Sequence, residues 1–117
     1  MKTISGIDEL DEFIIDNYSN NLVVLLYFGA EWCGPCKQLK NRLGDQDTMQ
    51  IMPKLVVGYL DVDNEENSSI IKKYKISSLP TQIYIKLDEY KVVETHRIEG
   101  YDFMKLKLDY DNYLTKN

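Results

Sequence analysis

Leu22-Val23-Val24-Leu25-Leu26-Tyr27-Phe28 is an unbroken apolar run of seven residues. It is far too short to cross a bilayer, which takes about 20. It suits a strand covered on both faces, the kind that lies at the centre of a sheet with helices on either side. The patterns around it agree. Upstream, Ile7, Leu10, Phe13 and Ile14 recur at helical spacing within Gly6 to Asn17, with Ser5 as the expected cap. A short strand around Lys2 to Ile4 precedes them, and Ser19-Asn20-Asn21 carries turn chemistry. Downstream, a helix is expected from Gly34 to Leu43 with Cys36, Leu39 and Leu43 on one face. A short helix follows from Gln46 to Met52, then a strand from Leu55 to Val62. Asn64 to Tyr74 reads as one helix with Ile70, Ile71 and Tyr74 inward.

Thr81 to Leu87 alternates, with Ile83, Ile85 and Leu87 on one face and Gln82, Tyr84 and Lys86 on the other. With Lys91 to Ile98 it forms a hairpin about Asp88-Glu89. Phe103, Leu106, Tyr110, Tyr113 and Leu114 make a last helical stripe. The order predicts an α/β sandwich around a mixed sheet of four to five strands. At 117 residues, a single domain over 1–117 is expected. Apolar residues at 44% and charged residues at 28% argue against disorder. A net charge of −5 leaves no basic excess for a nucleic-acid backbone. Lys72, Lys73 and Lys75 read as a solvated helix end. The N-terminus has no apolar core of signal length, so a soluble cytoplasmic protein without a membrane partner is expected.

Chemistry concentrates in Ala30-Glu31-Trp32-Cys33-Gly34-Pro35-Cys36-Lys37, between the buried strand and a helix. A thiolate at a helix start faces unpaired backbone amides and the positive end of the dipole, which favours its charged form. Cys33 holds that place. Cys36 lies one turn on, inward and less exposed. Cys33 is therefore the attacking thiol and Cys36 the resolving one. Pro35 suits the first helical turn. Two cysteines three apart form no disulfide framework, and in a reducing compartment such a pair is catalytic or metal-binding more often than structural. Two thiolates supply half of a zinc shell, and the one histidine, His96, falls on the distant hairpin. No metal is expected.

The Trp32-Cys33-Gly34-Pro35-Cys36 string, followed by Leu79-Pro80-Thr81 at a strand start and Gly100 before the last helix, resembles the thioredoxin family over almost the whole chain. The resemblance implies a thioredoxin fold and a protein-disulfide reductase that works through a Cys33–Cys36 redox-active disulfide with no bound cofactor. It implies protein disulfides as substrates and a thioredoxin reductase or similar donor of electrons. A monomer is the default. It implies a cis Pro80, and an apolar docking surface of Trp32, Pro35, Leu79, Pro80 and Gly100. Gly34-Pro35 disfavours a disulfide-forming or isomerising relative. A scaffold subunit that uses only the apolar surface is the alternative from another class.

Several positions depart from the family pattern. Tyr27 stands where bacterial and animal members bury an aspartate. The lysine that bacterial members pair with it falls on Tyr59 or on Asp61, depending on the anchor used for counting. Asn41 replaces the proline of the active-site helix, and Gly29 a second tryptophan. Tyr27 is expected in the core with its hydroxyl at the site edge. Asp61 is expected as a solvated strand-end acid.

Overall fold

A computed structural model describes residues 1–115. One five-stranded sheet, in the order β1-β3-β2-β4-β5, forms its centre. The strands are β1 (Lys2–Thr3), β2 (Val23–Gly29), β3 (Leu55–Asp61), β4 (Thr81–Asp88) and β5 (Lys91–Glu99). The helices are α1 (Ile7–Ser19), α2 (Gly34–Leu43), α3 (Gln46–Ile51), α4 (Ser68–Lys73) and α5 (Phe103–Thr115). β3 runs parallel to both β1 and β2, whereas β4 is antiparallel to β2 and to β5.

The apolar run is the middle strand, and every residue of β2 is buried. Successive side chains point to opposite faces of a strand, so β2 feeds two cores. Val23, Leu25 and Tyr27 pack with Leu39 of α2 and with Leu106 and Tyr110 of α5. Val24, Leu26 and Phe28 pack with Leu10 and Ile14 of α1 and Ile70 of α4. The active-site helix therefore lies on the first face, with its inward residues on the strand that precedes it.

Three local expectations are corrected. Ser5 does not cap α1. The cap position is Gly6, at φ +86°, while the Ser5 hydroxyl donates to Glu66 at 2.8 Å. Ile7 turns outward and leaves the buried stripe to Leu10 and Ile14. The helix expected over Asn64 to Tyr74 is split into a 3-10 turn (Glu65–Asn67) and α4. Asn64 caps the turn, its side chain accepting the Glu66 N–H at 3.0 Å, and the break falls at Asn67, the cap position of α4. On β4, the face carrying Gln82 and Tyr84 is as buried as the face carrying Ile83 and Ile85, since helices cover both.

Asn67 is a buried polar residue that periodicity could not show. Its carboxamide accepts the Gly6 N–H at 2.9 Å and donates to the carbonyls of Ile4 and Asp61, at 3.3 and 3.1 Å. It thereby ties β1, the start of α1 and the end of β3 together.

Candidate active site

β2 ends at Gly29, and α2 starts at Gly34. Cys33 is the N-cap of α2, in extended conformation, and its sulfur accepts the Cys36 N–H at 3.2 Å. The two cysteines are joined as a disulfide with Cα atoms 5.2 Å apart. Pro35 stands in the first turn, where a missing N–H costs nothing. Cys36 is 2% exposed and Cys33 6%. The order matches expectation, but both are buried, so the contrast between them is smaller than the helix position alone suggested.

Trp32 is 69% exposed, which removes a core-filling role. Its indole N–H donates to Asp63 at 2.8 Å and holds the ring at the surface. Gly34 and Pro35 are exposed beside it. The Leu79–Pro80 peptide is cis. Pro80 itself is buried, while Leu79 and Gly100 are half-buried. Of the expected docking surface, Trp32 and Pro35 are thus the open part, and Pro80 contributes less of its ring than anticipated. Gly100 sits at φ +93°, a conformation few residues other than glycine adopt, and its N–H donates to the Pro80 carbonyl at 2.7 Å.

Beneath the disulfide, the register shows which of Tyr59 and Asp61 lies beside Tyr27. Tyr27 pairs with Tyr59, whereas Asp61 pairs with Gly29. The two rings meet with centroids 5.1 Å apart. A side chain on Gly29 would lie within 3.0 Å of the Tyr27 ring and 3.2 Å of the Tyr59 ring, so the glycine makes room for the pair. The Tyr27 hydroxyl donates to the Cys36 carbonyl at 2.5 Å. Burial, and then the neighbouring Tyr59, push the Tyr27 phenol up to about 12. It stays protonated at neutral pH and acts as a donor. Burial, with Asp61, Glu31 and Asp63 nearby, also pushes Tyr59 upward.

A cleft of ≈ 710 Å³ reaches Cys36 and Tyr27 from the surface, with Lys40, Asp61 and Asp63 on its walls. Asp61 thus faces the cleft mouth, and its carboxylate accepts the Asp63 N–H at 2.9 Å. Lys40 reaches over the Tyr59 ring at 6.0 Å. A larger hollow of ≈ 1070 Å³ beside α1, α3 and β3 contains neither cysteine and takes no part in the site. Among the described residues, no group of three or more His, Cys, Asp or Glu is placed to hold a metal ion. His96 stacks edge-on against Tyr84, with ring centroids 6.0 Å apart.

Three contributors were not singled out from the sequence. Asp63 carries no local signal, because its bond to Trp32 spans 31 positions. Lys40 looked like any surface lysine of a helix. Gln82 looked like the polar half of an alternating strand.

Residues 7–106 match the family described as Thioredoxin. The chain is 36% identical to the thioredoxin of Chlamydia pneumoniae over 86 residues, 74% of each chain. It is 35% identical to thioredoxin-T of Drosophila melanogaster over 68% of this chain. It spans about half of that relative's length, 47%. Its fold superposes on the X-ray structure of Fasciola hepatica thioredoxin with a TM-score of 0.77, at 25% identity, over 96% of this chain and 98% of that one. The chain belongs to the thioredoxin family. Membership and a cysteine pair at disulfide distance support thiol–disulfide oxidoreductase activity, that of a protein-disulfide reductase.

Proposed function

We propose that the protein reduces disulfides in other proteins. The disulfide closed across the N-cap of α2 carries this reading. In the reduced form, Cys33 as thiolate attacks one sulfur of a substrate disulfide and forms a mixed disulfide, and the substrate's other sulfur leaves as a thiolate. Cys36 loses its proton and attacks the Cys33 sulfur. The Cys33–Cys36 bond forms, the bond to substrate breaks, and the second substrate thiolate departs. Two electrons have passed to substrate, and the redox group is the protein's own cysteine pair. The exposed Trp32 and Pro35 offer an apolar seat for the substrate chain, with Leu79 and Gly100 at its edge. A reductase of the thioredoxin-reductase kind returns the two electrons. The working compartment is the cytoplasm, and the working form is a monomer.

Insulin reduction driven by dithiothreitol, then by a thioredoxin reductase, tests the reading. Turnover is expected with both. Cys36→Ser should accumulate mixed disulfides through Cys33, visible by mass spectrometry, and Cys33→Ser should not turn over. Faster alkylation of Cys36 than of Cys33 at neutral pH would reverse the roles. A partner complex that survives both serine variants, with no insulin turnover, would favour a scaffold.

A further inference from the structure

Gln82 lies on β4 and is 0% exposed. Its Nε2 donates to the Gly100 carbonyl at 3.1 Å. Because that carbonyl needs a donor, the orientation of the amide is fixed, and Oε1 points elsewhere. Oε1 is buried and has no hydrogen-bond partner among the described residues. A buried acceptor left unpaired is costly, and a specific case in a folded protein calls for an explanation.

Its location supplies one. Gln82 stands directly opposite Tyr27 across β2 and β4. Opposed residues of an antiparallel pair share a face of the sheet. This is the face on which Tyr27, Cys33 and Cys36 pack as one cluster. The Tyr27 hydroxyl already donates to the Cys36 carbonyl. The cysteines are in the disulfide state, in which neither sulfur carries a proton. Reduction gives Cys36, the more deeply buried of the two, an S–H donor.

We propose that Gln82 is a positioning residue of the redox couple: its Nε2 holds the Gly100 loop, and its Oε1 accepts the hydrogen bond of the Cys36 thiol, which exists only in the dithiol form. This rests on the dithiol–disulfide cycle proposed above. The acceptor is then satisfied in the reduced protein and stranded in the oxidised one, so Gln82 biases the couple toward dithiol. The bond to Gly100 runs to a backbone carbonyl and involves neither sulfur, so its loss should weaken both redox states alike.

The experiment is equilibration of the purified protein with glutathione. Dithiol protein and glutathione disulfide give disulfide protein and two glutathione thiols; two electrons pass to glutathione, and the two cysteine protons end on its thiols. Gln82→Met keeps the length of the side chain and removes the acceptor. The constant should move toward the disulfide protein by about 3- to 10-fold, the span of a net hydrogen bond. An unchanged constant, or a move toward dithiol, would overturn the proposal. A wild-type protein that does not exchange with glutathione would overturn the cycle itself and this inference with it. In the wild-type protein labelled with 13C, the Gln82 side-chain carbonyl resonance should shift on reduction as Oε1 gains its donor. A resonance that stays in place would overturn the proposal even where Gln82→Met does not fold.

Discussion

Tyr27 does with a phenol what a carboxylate does in many thioredoxins only in part. It occupies the buried position under the resolving cysteine and anchors the first turn of α2 through the Cys36 carbonyl. It cannot take the Cys36 proton at neutral pH, because burial pushes it up to about 12. Asp61 faces the cleft, but its carboxylate is engaged by the Asp63 N–H. Water entering the cleft is the expected acceptor of the Cys36 proton. Single-turnover decay of the mixed disulfide should quicken as pH rises from acid through neutral, and Asp61→Asn should change it little. A flat profile, or a large loss in a folded Asp61→Asn, would make Asp61 the base. Tyr27→Phe keeps the ring against Tyr59 and loses one buried hydrogen bond. It should lower stability by about 1 kcal/mol, read from urea unfolding. Tyr27 and both cysteines were legible in the sequence because each is set by its distance from the Trp32–Cys36 string. Gln82 was not, because its role depends on which strand lies opposite and on helices covering both faces of the sheet.

Among the elements, those announced by composition came through with little change. The apolar run became β2, and α2 has the bounds its pattern implied. What failed was local capping, where side-chain hydrogen bonds compete with helical ones. Ser5 bonds to Glu66 and leaves Gly6 to start α1, and the expected helix breaks at Asn67. These bonds join segments about sixty positions apart or turn on a single Asx contact, so no periodicity records them. Asn67 is the hub of this corner. Asn67→Ala should cost about 2–3 kcal/mol, because the Gly6 N–H and two carbonyls lose their partner. Chemical denaturation would show it, and a loss below about 0.5 kcal/mol would remove the hub role. Gly58 on β3 is a second such point. A Cβ there would come within 2.5 Å of the Ile4 side chain and 2.8 Å of the Phe13 ring. Gly58→Ala should cost about 1–3 kcal/mol as β1 and α1 are pushed from the sheet.

Across the whole molecule, tyrosine hydroxyls tie the last helix to the sheet and to the start of β3. Tyr84 donates to the Leu106 carbonyl at 2.6 Å, Tyr113 donates to that of Ile85 at 2.7 Å, and Tyr110 accepts the Lys54 N–H at 3.0 Å. Burial pushes Tyr27 and Tyr113 up to about 12, and it also raises Tyr59, Tyr74 and Tyr84. An unfolded chain gives up these protons near pH 10, where the folded one still holds them. Stability from this source is complete below about pH 10 and falls as pH rises through the folded values. Absorbance titration of phenolate should show these tyrosines ionising together with unfolding, and free titration in the folded state would contradict their burial. Trp32, the single tryptophan of the chain, differs from them in being exposed and tethered to Asp63, on the outer wall of the cleft that Tyr27 and Tyr59 also line. Its emission therefore samples the rim of the disulfide alone, while near-ultraviolet tyrosine dichroism samples the interior. The protein thus carries two optical probes in separate places, and coincidence of their melting curves would establish that rim and interior come apart in one cooperative step.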